Sequence, residues 1–335
     1  MDKKDEKIMK ADPSTPLESP IFICGCHRSG TTLMQTILNG HKEVEILPET
    51  KLFAWLWSPF QDLSRRMGKE VLRQLTGAIG QINRAWRLPE NDVLLDRIEN
   101  AEVPMPERFA SVAEVMHYLL RACPSEGVAR VGEKTPLHIY HLRALLEFFP
   151  NAKVVIMQRD LRGAYHSQVS RSKKSKLSYR SFKGLLFVAA WRHGEVLARK
   201  FVRLYGGSTI YQMSYESLVT APEQEIRKLC RFLNLSFEPS LLDVPVGNSS
   251  FEVESEGISS QSANRWQNGL TPELAAELAY LGQPYLDEAE MPMSSSFQLV
   301  FKRLFLRGSD AVVARFPELM CYLGRDSRYR KFSND

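Results

Sequence analysis

Residues 21–33 read IFICGCHRSGTTL, and this stretch decides the fold of the chain. Its apolar start predicts a strand over 21–24, and the glycine-rich segment that follows leads into a predicted helix over 31–40. The backbone N–H groups of such a loop and the positive end of the helix suit an anion of the phosphate or sulfate type. Gly25 and Gly30 allow the backbone to approach that anion closely, because glycine has no Cβ.

The loop has the G-x-x-x-x-G spacing of nucleotide-binding P-loops, with one decisive change. Thr31 occupies the position at which a nucleoside triphosphatase carries its lysine. That lysine pairs with the phosphates of ATP or GTP, so its replacement favours a different anionic ligand.

Strands alternate with helices along most of the chain. This alternation predicts an α/β fold, a P-loop-type doubly wound parallel sheet flanked by helices. Ligands of such sheets bind at the carboxyl ends of the strands, so the loops after 21–24 and 153–158 are expected to face one crevice. The predicted strands are 21–24, 130–136 (a short strand with its turn), 153–158 and 208–213, and the predicted helices after the first are 138–149, one from about 162, 185–204 and 222–233.

The chain divides into three predicted parts. Residues 1–19 are charged and then rich in proline and serine, which predicts a disordered leader. Residues 20–289 form the main domain, with a helical insertion at 52–126 that is expected to contact a substrate. Residues 290–335 are expected to be a C-terminal helical appendage. Residues 246–263 are rich in serine, glycine and glutamate and predict a mobile loop.

Composition narrows the class of protein. A 44% share of apolar residues in 335 is enough for a large core, and a net charge of +5 from scattered basic residues calls for no nucleic-acid partner. No apolar run has the length of a membrane span, and the first twenty residues lack the apolar stretch of a signal peptide. The five cysteines have no metal-type spacing, so we expect no metal site, buried thiols and a cytoplasmic protein.

A second anion site is predicted after the strand over 153–158. Arg159 follows that strand, where its guanidinium could form a bidentate fork on a phosphate. Ser167 and Arg171 share one face of the next helix, because they are four residues apart. Taken alone, this segment also fits a structural ion pair between Arg159 and Asp160.

Four segments together give the chain a specific resemblance. It resembles the PAPS-dependent sulfotransferases, within them the branch of the tyrosylprotein sulfotransferases and their bacterial relatives. The segments are CHRSGTTLMQTILNGHKEVEILPET from residue 26, GEKTPLHIYHLRALLEFFPNAKVVIMQRDLRGAYHS from residue 132, YQMSYESLVTAPEQEIRKLCRFLNL from residue 211 and SANRWQNGLTPE from residue 262.

The resemblance implies the donor 3′-phosphoadenosine 5′-phosphosulfate (PAPS), with 3′-phosphoadenosine 5′-phosphate (PAP) as product. The two ends of this donor need two anion sites, which the residues indicate independently. The residues implied to cradle the 5′-phosphosulfate are Arg28, Ser29, Gly30, Thr31 and Thr32. Those implied to surround the 3′-phosphate are Arg159, Ser167, Arg171 and Tyr215.

The resemblance also implies catalytic residues. Glu49 stands 21 residues after Arg28, in the turn at which the tyrosylprotein branch carries its catalytic glutamate, and is the expected general base. Lys134 matches the family lysine near the leaving oxygen, and Arg28 would stabilise charge on the sulfuryl oxygens. The structural alternatives are an ion-paired carboxylate for Glu49 and a surface lysine for Lys134.

One departure separates the branches of the family. Cytosolic aryl and steroid sulfotransferases place a histidine base two residues after the lysine, whereas this chain has Pro136 there. His27 and His166 are expected to shape their loops, without acting as bases. Trp266 is implied to cover the adenine or the 3′-phosphate, and either of two serines in 259–260 could reach the phosphate.

These residues predict a sulfotransferase that acts on a hydroxyl of a small molecule, a glycan or a lipid. The identity of the acceptor and the oligomeric state do not follow from them. Two alternatives remain open: a P-loop kinase or NTPase, which would need Mg²⁺-dependent ATP binding, and a non-catalytic PAP-binding module, which would bind PAP without turnover. The joint presence of Glu49 and Lys134 favours the enzyme.

Overall fold

Five parallel strands form one sheet in the order β2-β3-β1-β4-β5. The computed structural model describes residue 17 and residues 19–57, 63–86, 89–125, 127–171, 182–244, 258–286 and 297–323. The strands are β1 (Ile21–Gly25), β2 (Val44–Leu47), β3 (Arg130–Lys134), β4 (Lys153–Gln158) and β5 (Ile210–Ser214).

Helices cover both faces of this sheet, and short 3₁₀ turns precede or follow several of them. The helices are α1 (Thr31–Leu38), α2 (Leu52–Leu56), α3 (Gly68–Trp86), α4 (Pro89–Glu99), α5 (Val112–Ala122), α6 (Leu142–Phe148), α7 (Leu161–Arg171), α8 (Phe182–Tyr205), α9 (Tyr215–Thr220), α10 (Pro222–Leu233), α11 (Gln261–Gly269), α12 (Pro272–Gly282), α13 (Phe297–Arg315) and α14 (Pro317–Leu323).

Alternate side chains of the central strands enter two different cores. Phe22 and Ile156 pack with the helices of 52–126 and with α6 and α8. Ile23 and Val155 point to the opposite face and pack with α1 and α10. Both faces of the parallel sheet are therefore buried, which explains the continuous apolar runs of β1 and β4 and confirms the predicted doubly wound fold.

Most predicted elements are present, with shifted ends. The predicted strand over 153–158 and the predicted helix over 222–233 have the bounds of β4 and α10. The helix expected over 31–40 ends at Leu38, and the one expected over 138–149 begins as a 3₁₀ turn (Pro136–His141) before α6. Strand β2 had no counterpart in the prediction.

The prediction of a mobile loop over 246–263 is wrong at its carboxyl end. Residues 245–257 lie outside the described part of the chain, but α11 begins at Gln261. This helix packs between α7 and α9. Tertiary contacts therefore override the polar, loop-like composition of its first turn.

The predicted C-terminal appendage begins with α13, which packs along α8. Arg192 of α8 is fully buried and pairs with Asp310 of α13, with 2.5 Å between Arg192 Nη2 and Asp310 Oδ2. Its Nη1 donates to the carbonyl oxygen of Leu281 at 2.6 Å. One guanidinium thus joins α8, α12 and α13. The predicted boundary at residue 290 stays a prediction, and the basic residues 325–331 lie outside the described part.

Among the described helices, none combines the length and the apolar character that crossing a bilayer requires.

We expect Arg192→Met to lower the free energy of unfolding by about 3–5 kcal/mol, because it leaves the carboxylate of Asp310 without its buried partner. Urea denaturation followed by circular dichroism measures the change. The matched control is Arg143→Met, which breaks an exposed pair with Glu147 and should change stability little. Equal effects of the two variants would contradict the assigned role of Arg192.

Candidate active site

Each strand of the sheet brings one predicted site residue to the same edge. Arg28 follows β1, Glu49 follows β2, Lys134 ends β3, Arg159 follows β4 and Tyr215 follows β5. Because all five strands are parallel, their carboxyl ends meet at this edge. The topology therefore gathers residues that are far apart in the sequence.

Glu49 lies between two lysines. Lys134 Nζ is 3.5 Å from Glu49 Oε2, and Lys51 Nζ is 3.5 Å from Oε1. Oε1 is buried and forms no hydrogen bond with any described residue. Burial acts to raise the pKa of Glu49, but the charges of Lys51 and Lys134 outweigh it and lower the pKa to about 2. Glu49 is therefore a carboxylate at neutral pH, and its ion pair unites the two predicted catalytic residues.

Lys134 is buried, which excludes the alternative of a surface lysine. Lys51 is a site residue that the sequence analysis missed, although it stands directly after Glu49-Thr50. Its backbone has a φ of 52°, a left-handed conformation that is uncommon outside glycine. This conformation carries Lys51 back toward Glu49 at the start of α2.

His27 lies near the same charges and is neutral at pH 7. Burial lowers its pKa to about 4, with further lowering by Lys51, Arg28 and Lys134 against the opposing charge of Glu49. A neutral imidazole adds no charge beside the carboxylate. Glu49 is therefore the anionic base candidate of this cluster, and the shaping role of His27 stays a prediction.

A buried carboxylate, Glu133, holds the turn of Glu49 against the end of β3. Glu133 Oε1 accepts hydrogen bonds from the Thr50 backbone N–H at 2.9 Å, the Thr50 hydroxyl at 2.8 Å and the Thr135 hydroxyl at 2.7 Å. Its Oε2 contacts His138 Nε2. The Thr135 hydroxyl in turn accepts from the backbone N–H of Lys51 at 3.2 Å.

The imidazole of His138 is wholly buried, and the rings of Phe22 and Phe53 meet it edge-on. His138 is thus a core histidine that pairs with Glu133. The pair fixes the separation of Glu49 and Lys134, although neither of its members faces the edge of the sheet.

At the other side of the edge, Arg28 and Arg159 connect the two predicted anion sites. Arg28 donates from Nε and Nη2 to the hydroxyl oxygen of Ser167, at 3.2 Å and 3.0 Å. Arg159 Nη1 donates to the Arg28 carbonyl oxygen at 3.1 Å. The loop after β1 and the residue after β4 therefore form one unit.

The guanidinium of Arg159 is packed tightly. Its central carbon lies 3.9 Å from the ring centroid of Tyr215, and its Nη2 donates to the Ser262 carbonyl oxygen at 3.2 Å. The Tyr215 hydroxyl donates to Ser262 Oγ at 2.9 Å. Arg159 Nε is buried and has no acceptor among the described residues. Arg159 makes no ion pair with Asp160 in the described part, where Asp160 pairs with Arg162 at 2.5 Å.

The residues around the start of α1 differ in what their side chains and backbone N–H groups contact. Ser29 is buried, and its hydroxyl donates to the Cys26 carbonyl oxygen at 2.6 Å, so its side chain closes the loop. Thr31 and Thr32 occupy the first helical turn, whose N–H groups lack intrahelical acceptors. Gly30 has a φ of 93°, and a Cβ there would lie 2.5 Å from Tyr215 Cδ2, so no larger residue fits.

Helix α11 covers the Arg159 side. Trp266 stacks on the guanidinium of Arg162 at 4.2 Å, and a Cβ on Gly269 would lie 2.0 Å from His166 Nε2. Of the serines in 259–262, Ser262 contacts Tyr215 and Arg159. Which serine reaches the phosphate stays a prediction. Arg171 ends α7 one turn after Ser167, and its side chain lies outside the described part.

The described residues hold no group of three or more histidine, cysteine or acidic side chains placed to bind a metal ion. All five cysteines are buried thiols outside any disulfide, and the expectation of buried thiols is confirmed.

Comparisons with known proteins point to one family. The sequence profile described as "Sulfotransferase family" matches residues 20–239. A protein-tyrosine sulfotransferase of Drosophila melanogaster is 27% identical over 242 residues, which cover 71% of this chain and 42% of the relative. Protein-tyrosine sulfotransferase 1 of Danio rerio is 29% identical over 224 residues, covering 66% of this chain and 55% of the relative. The chain thus spans about half the length of these relatives.

Among solved structures, the sulfotransferase domain from the Synechococcus PCC 7002 olefin synthase has the same fold. Its TM-score is 0.52 at 19% identity, and the match covers 89% of this chain and 97% of that domain.

We expect Glu133→Gln to lower the free energy of unfolding by about 1–3 kcal/mol, because an amide replaces a charged acceptor of three hydrogen bonds and presents N–H groups to His138. Urea denaturation gives the value. Glu147→Gln, at an exposed glutamate, is the matched control and should unfold like the wild type. A Glu133→Gln protein as stable as this control would show that the carboxylate does not hold the turn.

Proposed function

The chain belongs to the sulfotransferase family, and from this membership and the geometry of the site we propose that it transfers the sulfuryl group of PAPS to an acceptor hydroxyl, with Glu49 as general base.

Two buried polar atoms of opposite kind support the proposal. Arg159 Nε is a hydrogen-bond donor without an acceptor among the described residues, and Glu49 Oε1 is an acceptor whose described contact is the ion pair with Lys51 Nζ at 3.5 Å. Leaving such atoms unsatisfied costs free energy, so they are common where a ligand completes the site. The Arg159 N–H suits an anionic phosphate, and the Glu49 carboxylate suits a hydroxyl. A bisubstrate site for an anionic donor and an alcohol needs this pair.

The residues on the Arg159 side fit the 3′-phosphate of PAPS. Arg159 would offer Nε, and Ser167 would join it, since hydrogen bonds through Arg28 already connect the two. The N–H groups at the start of α1 would hold the 5′-phosphosulfate, where the helix dipole favours negative charge. Gly30 lets the ring of Tyr215 pack against this end of the helix.

Bound PAPS supplies a sulfuryl group whose bond to the bridging phosphate oxygen breaks as the acceptor oxygen attacks. Glu49 Oε1 takes the proton of the acceptor hydroxyl, so the attacking oxygen carries less positive charge as its bond to sulfur forms. Lys134 supplies positive charge beside the oxygen that leaves, and Arg28 beside the sulfuryl oxygens. Glu133 and Thr50 hold Glu49 in place.

The two lysines beside Glu49 keep it ionised, and they also make it a weak base. A carboxylate with a pKa of about 2 accepts a proton reluctantly. Lys134 lowers that pKa through its ion pair, so a turn of its ammonium toward the anionic donor raises the basicity of Glu49. The ion pair therefore couples loading of the donor to activation of the base.

The proposed acceptor is a hydroxyl of a small molecule, a glycan or a lipid. The relatives from Drosophila melanogaster and Danio rerio carry the name protein-tyrosine sulfotransferase, so a protein tyrosine is the competing acceptor. A panel of alcohols, phenols, sugars, lipids and tyrosine peptides with radiolabelled PAPS distinguishes these classes. We also propose a cytoplasmic, reducing location, which five buried cysteines outside any disulfide support.

We expect Glu49→Gln to lower the turnover number by about 100-fold or more, because the amide cannot take up the acceptor proton. PAP affinity, measured by isothermal titration calorimetry, should stay close to that of the wild type. Glu43→Gln, at an exposed glutamate on the same segment, is the matched control and should retain full turnover.

Arg159→Lys should give the opposite pattern. It keeps the charge but loses the planar fork, so PAP affinity should fall about 10- to 100-fold. All assays contain EDTA, so that transfer under these conditions separates the enzyme from a Mg²⁺-dependent kinase. PAP binding without transfer to any acceptor would favour the non-catalytic module. A Glu49→Gln enzyme with full turnover would refute the assigned base.

Titration of Glu49 and His27 should not change the rate between pH 5 and 8 when the acceptor is an alcohol that does not ionise in this range. Glu49 has a lowered pKa of about 2 and His27 one of about 4, so both lose their protons below this window and keep one form within it. The profile of kcat/KM reports the free enzyme and tests this directly. An acidic limb with a midpoint near pH 6 would contradict it.

A further inference from the structure

The C-terminal helices carry a concentration of exposed apolar side chains. Within residues 300–319, seven large apolar residues are exposed by 37% to 58%, whereas the rest of the described chain has five such residues. The seven are Val300, Phe301, Leu304, Phe305, Val312, Phe316 and Leu319. An apolar patch of this kind on a folded domain marks a surface that binds something.

Helix geometry places four of these residues on one side of α13. Residues of an α-helix advance by about 100° each, which places Phe301, Leu304, Phe305 and Val312 on the same side. The opposite side is buried, since Leu306 and Val313 are fully inaccessible and Asp310 pairs with Arg192 of α8. The helix is therefore anchored to the domain by one face and presents the four exposed apolar residues on the other. Together with Val300 of α13, Phe316 after it and Leu319 of α14, they form the surface that we call the apolar stripe.

Basic residues border this apolar stripe. The same geometry puts Lys302 along one edge and Arg307 along the other, with Arg315 at the carboxyl end of the helix. Arg307 and Arg315 are exposed. Long basic side chains beside an apolar surface can lay their stems along it while their charges reach outward.

Acidic groups offset part of this charge. Glu277 of α12 interacts electrostatically with Lys302, Asp310 pairs with Arg192, and Glu318 of α14 is half-buried. Arg307 and Arg315 form no ion pair with any described residue. The segment thus combines aromatic and aliphatic side chains with flanking positive charge. Phosphate headgroups above a hydrocarbon layer match both parts of this pattern, which is typical of helices that lie in a membrane interface.

We propose that the apolar stripe of α13 and α14 docks the protein onto the surface of an anionic lipid bilayer. The apolar side chains enter the headgroup boundary, and Arg307 and Arg315 contact the lipid phosphates. The bilayer is favoured over a second copy of this chain, because the same basic edges would repel each other across a symmetric pairing of α13 with itself. This docking does not depend on the proposed transfer reaction.

Co-sedimentation of the full chain with vesicles tests the proposal. We expect binding to vesicles of phosphatidylcholine and phosphatidylglycerol, and at least about tenfold weaker binding to phosphatidylcholine alone. Phe301→Ser/Phe305→Ser should lower binding to the anionic vesicles at least about tenfold, because two aromatic anchors are lost. Arg307→Gln/Arg315→Gln should lower it too, and should make the residual binding less sensitive to salt.

Val93→Ser/Met105→Ser is the matched control, since it removes two exposed apolar side chains elsewhere and should bind like the wild type. Urea denaturation verifies that each variant is folded. Equal binding of wild type and Phe301→Ser/Phe305→Ser, or equal binding to neutral and anionic vesicles, would overturn the proposal. So would light scattering that shows a dimer dispersed by Phe301→Ser/Phe305→Ser together with no vesicle binding, because the stripe would then join two copies.

Discussion

A single buried carboxylate sets the spacing of the site. Glu133 accepts hydrogen bonds from Thr50 and Thr135 and contacts His138, and so binds the turn after β2 to the end of β3. Burying a charge is expensive unless donors surround it, and here they come from two separate segments, the turn after β2 and the turn after β3. The arrangement is satisfied only when the turn and the strand are in register. Glu49 and Lys134, the neighbours of Thr50 and Glu133 in the chain, are held together as a result.

The parallel sheet extends the same principle across the molecule. One residue after, or at, the end of each strand reaches a common edge, so that the chain can assemble a site from segments up to 187 residues apart, Arg28 to Tyr215. The strands β1 and β4 were predictable because both their faces are buried and their residues are apolar throughout. Strand β2 was not, because it has four residues, lies at the sheet edge and contains Glu45, whose carboxylate contacts Arg97 of α4. That contact cannot be read from local sequence.

The same limit applies within the site. Residue types and the family resemblance indicated Arg28, Glu49, Lys134 and Arg159, and the sheet brings all four to its carboxyl edge; their roles remain predictions. Lys51 stood next to Glu49 in the sequence, but only a left-handed backbone at Lys51 turns it toward the carboxylate. The segment of α11 was predicted as a loop because its polar residues suit one, whereas contacts to α7 and α9 make it helical. Long-range packing decides such positions, and local propensity is weak against it.

Arg159 bridges the backbone of the loop after β1 and the backbone of α11 with the two ends of one guanidinium. The loop after β1 and helix α11, which would bind opposite parts of an extended ligand, are therefore connected by one side chain. Substitutions in the loop after β1 and in α11 should have non-additive effects on the free energy of ligand binding, since both act on the same guanidinium. Substitutions in the segment that leads into α11 should therefore change how a ligand binds at the loop after β1, without altering any residue of that loop.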